Sequence, residues 1–407
     1  TSNVKKVVIT GMGAVTPIGI GVENYWRGLI EGKSGICPIT LFDTEKMPVK
    51  VAGEIHDFKA EEFMPKRTAK DSARFAKFAF AAAKEALEQS GREDKRDIGI
   101  IMGTALAGVT ETAEGQNELN QSSDWKVNPR LVPKILGNIA AANIAIEYGM
   151  QGPCMTVSTA CSSGGDALNL ASMMIKSGEA DVMLAVGADS MICPLTIASL
   201  AVAKALSREE NPNLACRPFD VNRSGFVTGE GGGAIILESE EHALARGAKI
   251  LGEIVSAANT NDAYHVTSPA LDGHGAIACM KAAIAKAGIK PSQIGYVNAH
   301  GTATHVGDIV EVSAIKEVFG DASPAISSTK GATGQLMGAG GITEAIACVL
   351  ACRDGIIPPT LNLTEKDPDC KDADIVASEP RKAQIRYAMS NAFGFGGQNS
   401  SIIVTSR

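Results

Sequence analysis

The sequence predicts an α/β fold built from two related halves, residues 1–250 and 251–407. Strand-like apolar runs alternate with Ala-rich helical segments along the chain, which is the pattern of packed βα units. Landmark sequences of the first half recur in the second half in the same order. An apolar content of 45% in 407 residues supports a large core. Because only 4% of the residues are aromatic, that core consists mainly of small aliphatic side chains.

The duplication is predicted from three pairs of landmarks, each a strand or helix with its polar turn. The first two landmarks lie further apart in the first half, from 98 to 159, than in the second half, from 294 to 329. The first half therefore has about 26 additional residues between them. We expect these additional residues to form an insertion near 108–130, and insertions of this kind often cover a site or contact a subunit. The landmark pairs are 97–104 with 293–300, 158–178 with 328–355, and 227–237 with 395–404.

The composition argues against several classes of partner. A net charge of −7 disfavours non-specific binding of nucleic acid. No apolar run is long enough to span a bilayer, and the first residues do not form a signal peptide. The nine cysteines form no C-x-x-C pair and no regular framework. We therefore expect reduced thiols in the cytoplasm, with neither disulfides nor a metal site.

The first element is a buried-type strand over 4–10 that leads into a segment with several glycines, 11–21. Three of these glycines are spaced loosely like a dinucleotide-binding turn. Pro17 interrupts the turn, however, and no helix begins at the required spacing. The sequence therefore disfavours a nucleotide site at this turn.

Residues 66–89 are predicted to form one long helix with an Ala-rich inner face. The first half of this helix is unusually basic for an acidic protein. Such a cluster is either a solvated helix face or a dock for an acidic partner, and composition alone favours the solvated face. The basic residues are Lys66, Arg67, Lys70, Arg74 and Lys77.

A cysteine at a strand-to-helix turn is the strongest candidate for a catalytic residue. The β-prone run 156–159 leads into Cys161, and small hydroxyl residues, two glycines and an amphipathic helix ending near Gly178 follow. A thiol at a helix N-terminus meets unpaired backbone N–H groups and the positive end of the helix dipole, which favour the thiolate. We therefore predict that Cys161 is a nucleophile.

Polar loops that follow apolar strands in the second half are expected to supply the other groups of the site. Among the six histidines, His300 is the best candidate, because it directly follows a buried strand and precedes Gly301. The backbone N–H groups of the loop 394–397 can hold a phosphate or a thioester oxyanion, and a missing Lys-Ser/Thr pair disfavours a nucleotide. The four loops are 262–268, 298–304, 327–335 and 391–399.

The whole chain resembles the β-ketoacyl-acyl-carrier-protein synthases, of the elongating type found in fatty acid and type II polyketide systems. This resemblance implies the thiolase fold, two duplicated βα halves in a five-layered α/β/α/β/α core, and usually a dimer. It implies no cofactor, since the substrates arrive on the phosphopantetheine arm of an acyl carrier protein. The matching stretches are 159–163, 298–302, 328–330, 262–269 and 391–399.

The resemblance also implies a role for each matching residue in a decarboxylative Claisen condensation. Cys161 takes the acyl chain, and His300 stabilises the enolate oxygen formed from malonyl-carrier protein. The backbone N–H groups of Cys161 and Phe395 form the oxyanion hole, and Lys330 holds Glu344. The expected contacts to the pantetheine arm and substrate are Thr267, Ser268, Thr302, Thr304 and Phe393.

Two positions depart from the pattern of these synthases. Gln335 occupies the place of a second catalytic histidine, and its amide can donate a hydrogen bond but cannot carry a proton. Leu200 stands where relatives often have a bulky Phe facing the acyl channel. Together they shift the expectation from housekeeping fatty acid synthesis towards a specialised polyketide or polyene system. We expect a homodimer, or a heterodimer with a ketosynthase-like chain-length factor.

The resemblance changes the interpretation of the basic helix, because these enzymes dock an acidic carrier protein beside the active-site entrance. The expected docking residues are Lys66, Arg67, Lys70, Arg74 and Lys204.

Two alternative classes of protein can be distinguished from these synthases by their cysteines. A thiolase would need a second cysteine near the C-terminus, but the loop 394–399 has none and Cys370 lies outside it. A partner subunit that only shapes the chain-length pocket, with weakened catalysis, would typically lack the nucleophile, which is present here.

Overall fold

The computed structural model describes residues 4–407. In this part of the chain the strands are β1 Val7–Thr16, β2 Gly19–Ile20, β3 Cys37–Pro38, β4 Val51–Ala52, β5 Gly99–Gly103, β6 Cys154–Val157, β7 Val182–Asp189, β8 Gly231–Ser239, β9 Gly252–Asn261, β10 Ile294–Asn298, β11 Ala325–Ser327, β12 Ile356–Ile357, β13 Arg381–Lys382, β14 Tyr387–Phe393 and β15 Gln398–Ser406. The α-helices are α1 Val22–Ile30, α2 Lys66–Asp71, α3 Arg74–Ser90, α4 Val109–Gln121, α5 Leu131–Ile135, α6 Ile139–Tyr148, α7 Ser163–Ser177, α8 Pro194–Val202, α9 Pro212–Ala215, α10 Glu240–Ala245, α11 His274–Ala287, α12 His305–Phe319, α13 Lys330–Thr333 and α14 Gly340–Asp354.

The strand order repeats within one large mixed sheet. The sheet runs β11-β10-β14-β15-β9-β1-β8-β7-β5-β6, with β2 paired to β1. Outwards from the centre, the first half has the order β1-β8-β7-β5-β6 and the second half has β9-β15-β14-β10-β11. When only the five strands that each half contributes to this order are counted along the chain, both halves follow the same sequence: first, fifth, fourth, second, third. A short antiparallel pairing of β1 with β9 joins the halves. The predicted duplication is therefore confirmed in the topology.

Five layers follow from the helix packing. Helices α7 and α14 lie at the centre and contact strands of both halves as well as each other. Helix α3 covers the outer face of the first half on β1, β7 and β8, and α11 covers the outer face of the second half on β9 and β15. Buried small and aliphatic residues fill the space between the layers, as the low aromatic content predicts. This is the predicted α/β/α/β/α core.

The first glycines are packing residues in the middle of a strand. Strand β1 runs through Gly11 and Gly13 without a phosphate-binding turn. A Cβ atom at Gly11 would lie 2.1 Å from the carbonyl oxygen of Ala86, and one at Gly13 would lie 1.9 Å from that of Ala82. Both glycines therefore allow α3 to lie directly on the sheet.

The prediction of one helix over 66–89 is wrong, because two helices meet there. Helix α2 ends at Asp71, and Ser72 and Ala73 are extended before α3 begins at Arg74. The backbone N–H of Arg74 donates to the carboxylate of Glu111 on α4, at 2.9 Å. A distant carboxylate thus satisfies the first N–H of α3, and local sequence carries no sign of it.

The insertion near 108–130 forms α4 and an exposed loop, 122–130, before α5. Arg130 closes this loop onto α2 through an ion pair with Asp71, 2.7 Å between nitrogen and oxygen. Among the described helices, none is long and apolar enough to cross a membrane.

Candidate active site

Cys161 lies at the sharp turn that the sequence predicts. The 3-10 turn Ala160–Ser162 joins β6 to α7, which begins at Ser163. Ala160 has a φ of 51°, a left-handed conformation that costs an L-residue roughly 1–2 kcal/mol. This strained backbone directs the half-buried Cys161 side chain into a cavity of about 710 Å³. The turn therefore presents the thiol to any molecule that enters the cavity.

The environment of the thiol differs from the expectation. Burial raises the pKa of Cys161 to about 11, although the charge of Lys330 and hydrogen bonds from the N–H groups of Phe395 and Cys161 lower it. The apolar neighbours include Met337, whose sulfur lies 3.9 Å from the Cys161 sulfur. Burial thus opposes the thiolate that a helix terminus favours, and it raises this pKa well above neutrality.

Two backbone N–H groups are free to act as an oxyanion hole. Those of Cys161 and Phe395 contact the thiol and have no backbone acceptor in the described chain. The glycine N–H groups of the same loop are occupied: that of Gly396 donates to Val266 at 2.6 Å, and that of Gly397 donates to Gly394 at 3.1 Å. Of the backbone N–H groups that the sequence predicts as donors in the loop 394–397, only that of Phe395 remains available.

His300 is held through its backbone rather than its ring. The N–H groups of His300 and Gly301 donate to the two carboxylate oxygens of Glu311, at 2.9 and 2.8 Å. The ring packs against Phe393, with 5.7 Å between centroids. Its Nδ1 is buried without a hydrogen-bond partner, which leaves Nε2 as the nitrogen that the cavity can reach.

The imidazole of His300 is neutral. Burial and the charge of Lys330 hold its pKa well below the usual range. A neutral imidazole can donate one N–H bond to a developing oxyanion but cannot supply a full positive charge.

Glu311 is a functional residue that sequence reasoning missed. It comes from α12, where Val310 and Val312 flank it, and it is buried. Burial raises its pKa to about 7. An acidic residue inside an apolar helical run is the signal that could have identified it.

Lys330 acts on the site by its charge and does not line the cavity. Its Nζ lies 2.5 Å from a carboxylate oxygen of Glu344, and both side chains are buried. The resemblance implied this pair. The Lys330 charge lowers the pKa of both Cys161 and His300.

Gln335 lies in the cavity wall with its amide orientation fixed. Its side-chain oxygen accepts a hydrogen bond from the N–H of Met337 at 3.2 Å. Since a backbone N–H requires an acceptor, the oxygen must point there and the NH2 group must point the other way. That NH2 group has no partner among the described residues, and Gln335 lines the cavity. The side chain therefore offers a donor to the contents of the cavity.

The cavity wall has an apolar part and a polar part, which we name the apolar arm and the polar arm. The apolar arm is formed by Leu200, Met191, Phe226 and Met337, in the hydrophobic cluster that also includes Cys161. The polar arm is formed by hydroxyl residues of two loops of the second half, 262–268 and 298–304. All the predicted substrate contacts line the cavity: Thr267, Ser268, Thr302, Thr304, Phe393 and Leu200. An apolar wall suits an acyl chain, and hydroxyl groups suit a polar linker.

The predicted docking residues divide into two groups. Lys66, Arg67 and Lys70 are exposed on α2, and Lys204 is exposed on a turn whose neighbours line the cavity. Arg74 instead forms an ion pair with the buried Glu230, 2.7 Å between nitrogen and oxygen. This ion pair leaves Arg74 less available for docking than the exposed cations of α2.

Two further basic residues lie near α2 and α3. Arg130 pairs with Asp71 on α2, and the charge of Lys134 on α5 acts on Lys77 of α3. Sequence reasoning missed both residues, because only the folded chain brings them to these helices.

Within residues 4–407, no group of three or more His, Cys, Asp or Glu side chains could hold a metal ion. None of the nine cysteines is in a disulfide, and Cys161 is the one that lines the cavity within this range. Cys370 is buried in a separate hydrophobic cluster. A second catalytic cysteine, as a thiolase requires, is absent from the described cavity wall.

Acyl transfer through a cysteine thioester is the chemistry that this site supports, on a scaffold of two duplicated α/β halves. Comparison with known sequences gives the family. The chain belongs to the β-ketoacyl synthases: residues 4–243 match the N-terminal domain of that family and residues 251–364 match its C-terminal domain.

Curated relatives cover almost the whole chain. A 3-oxoacyl-[acyl-carrier-protein] synthase 2 from Synechocystis sp. is 42% identical over 405 residues, 98% of this chain and 97% of that protein. The protein of the same name from Vibrio harveyi is 41% identical over 407 residues, 98% of each chain.

Solved structures of similar proteins share the fold. The ishigamide ketosynthase/chain length factor superposes with a TM-score of 0.93 at 36% identity, covering 99% of both chains. A structure described as a type II PKS acyl-carrier protein in complex with its ketosynthase, AntDE:AntF, superposes with a TM-score of 0.90 at 33% identity, again over 99% of both chains.

Proposed function

We propose that this chain is a chain-elongating β-ketoacyl-acyl-carrier-protein synthase. It joins an acyl chain held on Cys161 to malonyl-carrier protein and gives the 3-oxoacyl-carrier protein. The observation that carries this proposal is the Cys161 thiol on a strained turn, with two backbone N–H groups at its sulfur and the neutral His300 in the same cavity wall. The family and the full-length relatives support the same reaction.

In the first step the Cys161 sulfur attacks the thioester of an acyl-carrier protein. The negative oxygen that develops is stabilised by the N–H groups of Cys161 and Phe395. The pantetheine sulfur leaves and takes the thiol proton, so the products are acyl-Cys161 and a free pantetheine thiol. Because the resting thiol is neutral, this proton transfer accompanies the attack.

In the second step malonyl-carrier protein loses carbon dioxide. The electrons of the broken carbon–carbon bond form an enolate, whose oxygen receives hydrogen bonds from His300 and from the NH2 group of Gln335. The enolate carbon then attacks the acyl carbonyl, the Cys161 sulfur leaves, and it regains a proton from solvent. Both donors are neutral, so hydrogen bonds stabilise the enolate without a full positive charge.

Acylation of Cys161 is the direct test. Incubation with hexanoyl-carrier protein should add one hexanoyl group to the wild type and none to Cys161→Ala, as measured by intact-protein mass spectrometry. Cys37→Ala is the matched control, because this partly exposed cysteine lies on β3 outside the cavity wall. An adduct that persists in Cys161→Ala, or no adduct in the wild type, would overturn the assignment.

A second candidate is a catalytically weakened ketosynthase-like subunit that acts as a chain-length partner in a heterodimer. Gln335, in place of the second histidine, is the observation that favours it. Addition of malonyl-carrier protein to the acylated enzyme separates the two candidates. A synthase yields a carrier-bound product two carbons longer, whereas a chain-length partner leaves the acyl group on Cys161.

We propose that the partner is an acyl carrier protein, bound through Lys66, Arg67 and Lys70 with Lys204 at the entrance. Substrates arrive on its phosphopantetheine arm, and the reaction needs no other cofactor or metal. Support comes from the exposure of these cations and from AntDE:AntF, where a similar ketosynthase binds its carrier protein. We place the reaction in the cytoplasm.

We also propose a dimer, formed through β6 either with a second copy or with a chain-length factor. In the described chain β6 pairs with β5 on one side and leaves its other edge open. Exposed apolar side chains surround this edge: Met155 is 48% exposed, Met173 54% and Ile146 78%. Light scattering of the protein alone, and again with its proposed partner, tests which dimer forms.

A further inference from the structure

We propose that His265 is a positioning residue, which shapes the polar arm of the cavity and, through it, the oxyanion donor. This inference rests on the proposed function, because it concerns how the malonyl thioester is held during condensation. His265 does not line the cavity and lies on the exposed loop 262–268. Its effect on the substrate is therefore indirect.

The ring of His265 organises the turn that follows it. Its Nδ1 accepts hydrogen bonds from the backbone N–H of Thr267 at 3.0 Å and from that of Ser268 at 3.1 Å. Both residues line the cavity, and no strand or helix holds this segment. The imidazole thus supplies the acceptor that fixes the turn, as the side chain of an Asx turn does.

The same turn contacts the loop that carries Phe395. The carbonyl of Val266, the residue after His265, accepts the N–H of Gly396 at 2.6 Å. A change in the turn at 266–268 therefore moves the peptide next to the Phe395 donor. His265 is connected in this way both to the polar arm and to the oxyanion hole.

The hydrogen bonds define the protonation state. Because both partners of Nδ1 are donors, Nδ1 must carry its lone pair and the proton of the neutral ring must be on Nε2. Any side chain that replaces the imidazole must therefore supply an acceptor to hold the turn.

The charged groups near this turn are occupied by other contacts. The carboxylate of Asp262 accepts from Ala270 and Asn399, and Asp272 pairs with His274 at the start of α11. Tyr264 is the aromatic neighbour of the His265 ring. The segment 394–399, which packs on the turn, carries no ionisable side chain.

The experiment compares three variants in steady-state condensation with malonyl-pantetheine, a substrate without a carrier protein. His265→Phe keeps the bulk and removes the acceptor, and His265→Asn restores an acceptor. We expect His265→Phe to raise KM by about tenfold and to lower kcat by a smaller factor, because the Phe395 donor shifts, and His265→Asn to restore both. His56→Phe, an exposed histidine away from the cavity wall, is the control.

The rescue by His265→Asn supplies a readout that a purely structural role would not change, because it restores the hydrogen-bond acceptor without restoring the ring. A KM that is unchanged in His265→Phe, or not restored in His265→Asn, would overturn the inference. Acylation of Cys161 in the wild type reports separately on the proposed function, since it does not require malonyl-pantetheine.

Discussion

Gln335 provides a direct measure of how much one hydrogen-bond donor contributes to enolate formation. Gln335→Met nearly keeps the shape of the side chain but removes the NH2 donor, together with the oxygen that accepts from the Met337 N–H. Removing one preorganised donor to an oxyanion costs on the order of 3 kcal/mol, or about 100-fold in rate. We therefore expect malonyl decarboxylation to fall by about 100-fold in this variant.

Gln335→His tests the opposite change. Burial and the Lys330 charge keep His300 neutral, and the same groups act on an introduced imidazole. It would be a neutral donor like the amide it replaces. The gain in decarboxylation should therefore be less than about tenfold, or roughly 1.4 kcal/mol.

The assay is carbon dioxide release from malonyl-carrier protein without an acyl acceptor. Acylation of Cys161 by hexanoyl-carrier protein is the control and should be unchanged in both variants, because Gln335 is not part of the oxyanion hole. If Gln335→Met releases carbon dioxide as fast as the wild type, Gln335 is not a donor in the reaction. If histidine gives no gain, the loop geometry rather than the residue type accounts for the activity.

Three further predictions follow from the charges. Alkylation of Cys161 by iodoacetamide should rise about tenfold per pH unit between about pH 7 and 9, because its pKa is raised to about 11; a plateau near neutral pH would contradict the neutral resting thiol. Lys66→Glu should slow acyl transfer from carrier protein but not from acyl-pantetheine, and added salt should slow the wild type more than the variant; rates that are flat with salt would exclude docking there. Arg74→Gln should destabilise the protein by roughly 2–3 kcal/mol in urea unfolding, since the buried Glu230 loses its partner, and an unchanged midpoint would show that Glu230 tolerates the loss.

Much of the fold was predictable because its signals are local and ordered. The landmark pairs predicted the duplication, and the strand-turn-helix pattern around Cys161 predicted the nucleophile. The break between α2 and α3 was not predictable, because Glu111 and Glu230, which are remote in sequence, bind Arg74 there. A periodic pattern reports which face is buried, not which distant side chain satisfies a helix terminus.

The protonation states and side-chain orientations of the site were harder to predict from the sequence than the identity of its residues. Sequence reasoning identified Cys161, His300 and Gln335, whereas the protonation of the thiol depends on how deeply the folded chain encloses it. The orientation of the Gln335 amide depends on the N–H of Met337, two residues further along the chain. Burial and hydrogen-bond partners arise from packing, so motifs alone could not supply them.

The position of β15 determines when the site can assemble during synthesis. This last strand lies between β9 and β14 in the interior of the sheet, and the Phe395 donor immediately precedes it. A nascent chain that has produced Cys161 but not β15 has a nucleophile without its oxyanion hole. We therefore expect catalytic competence to emerge only after the ribosome has released the residues through β15.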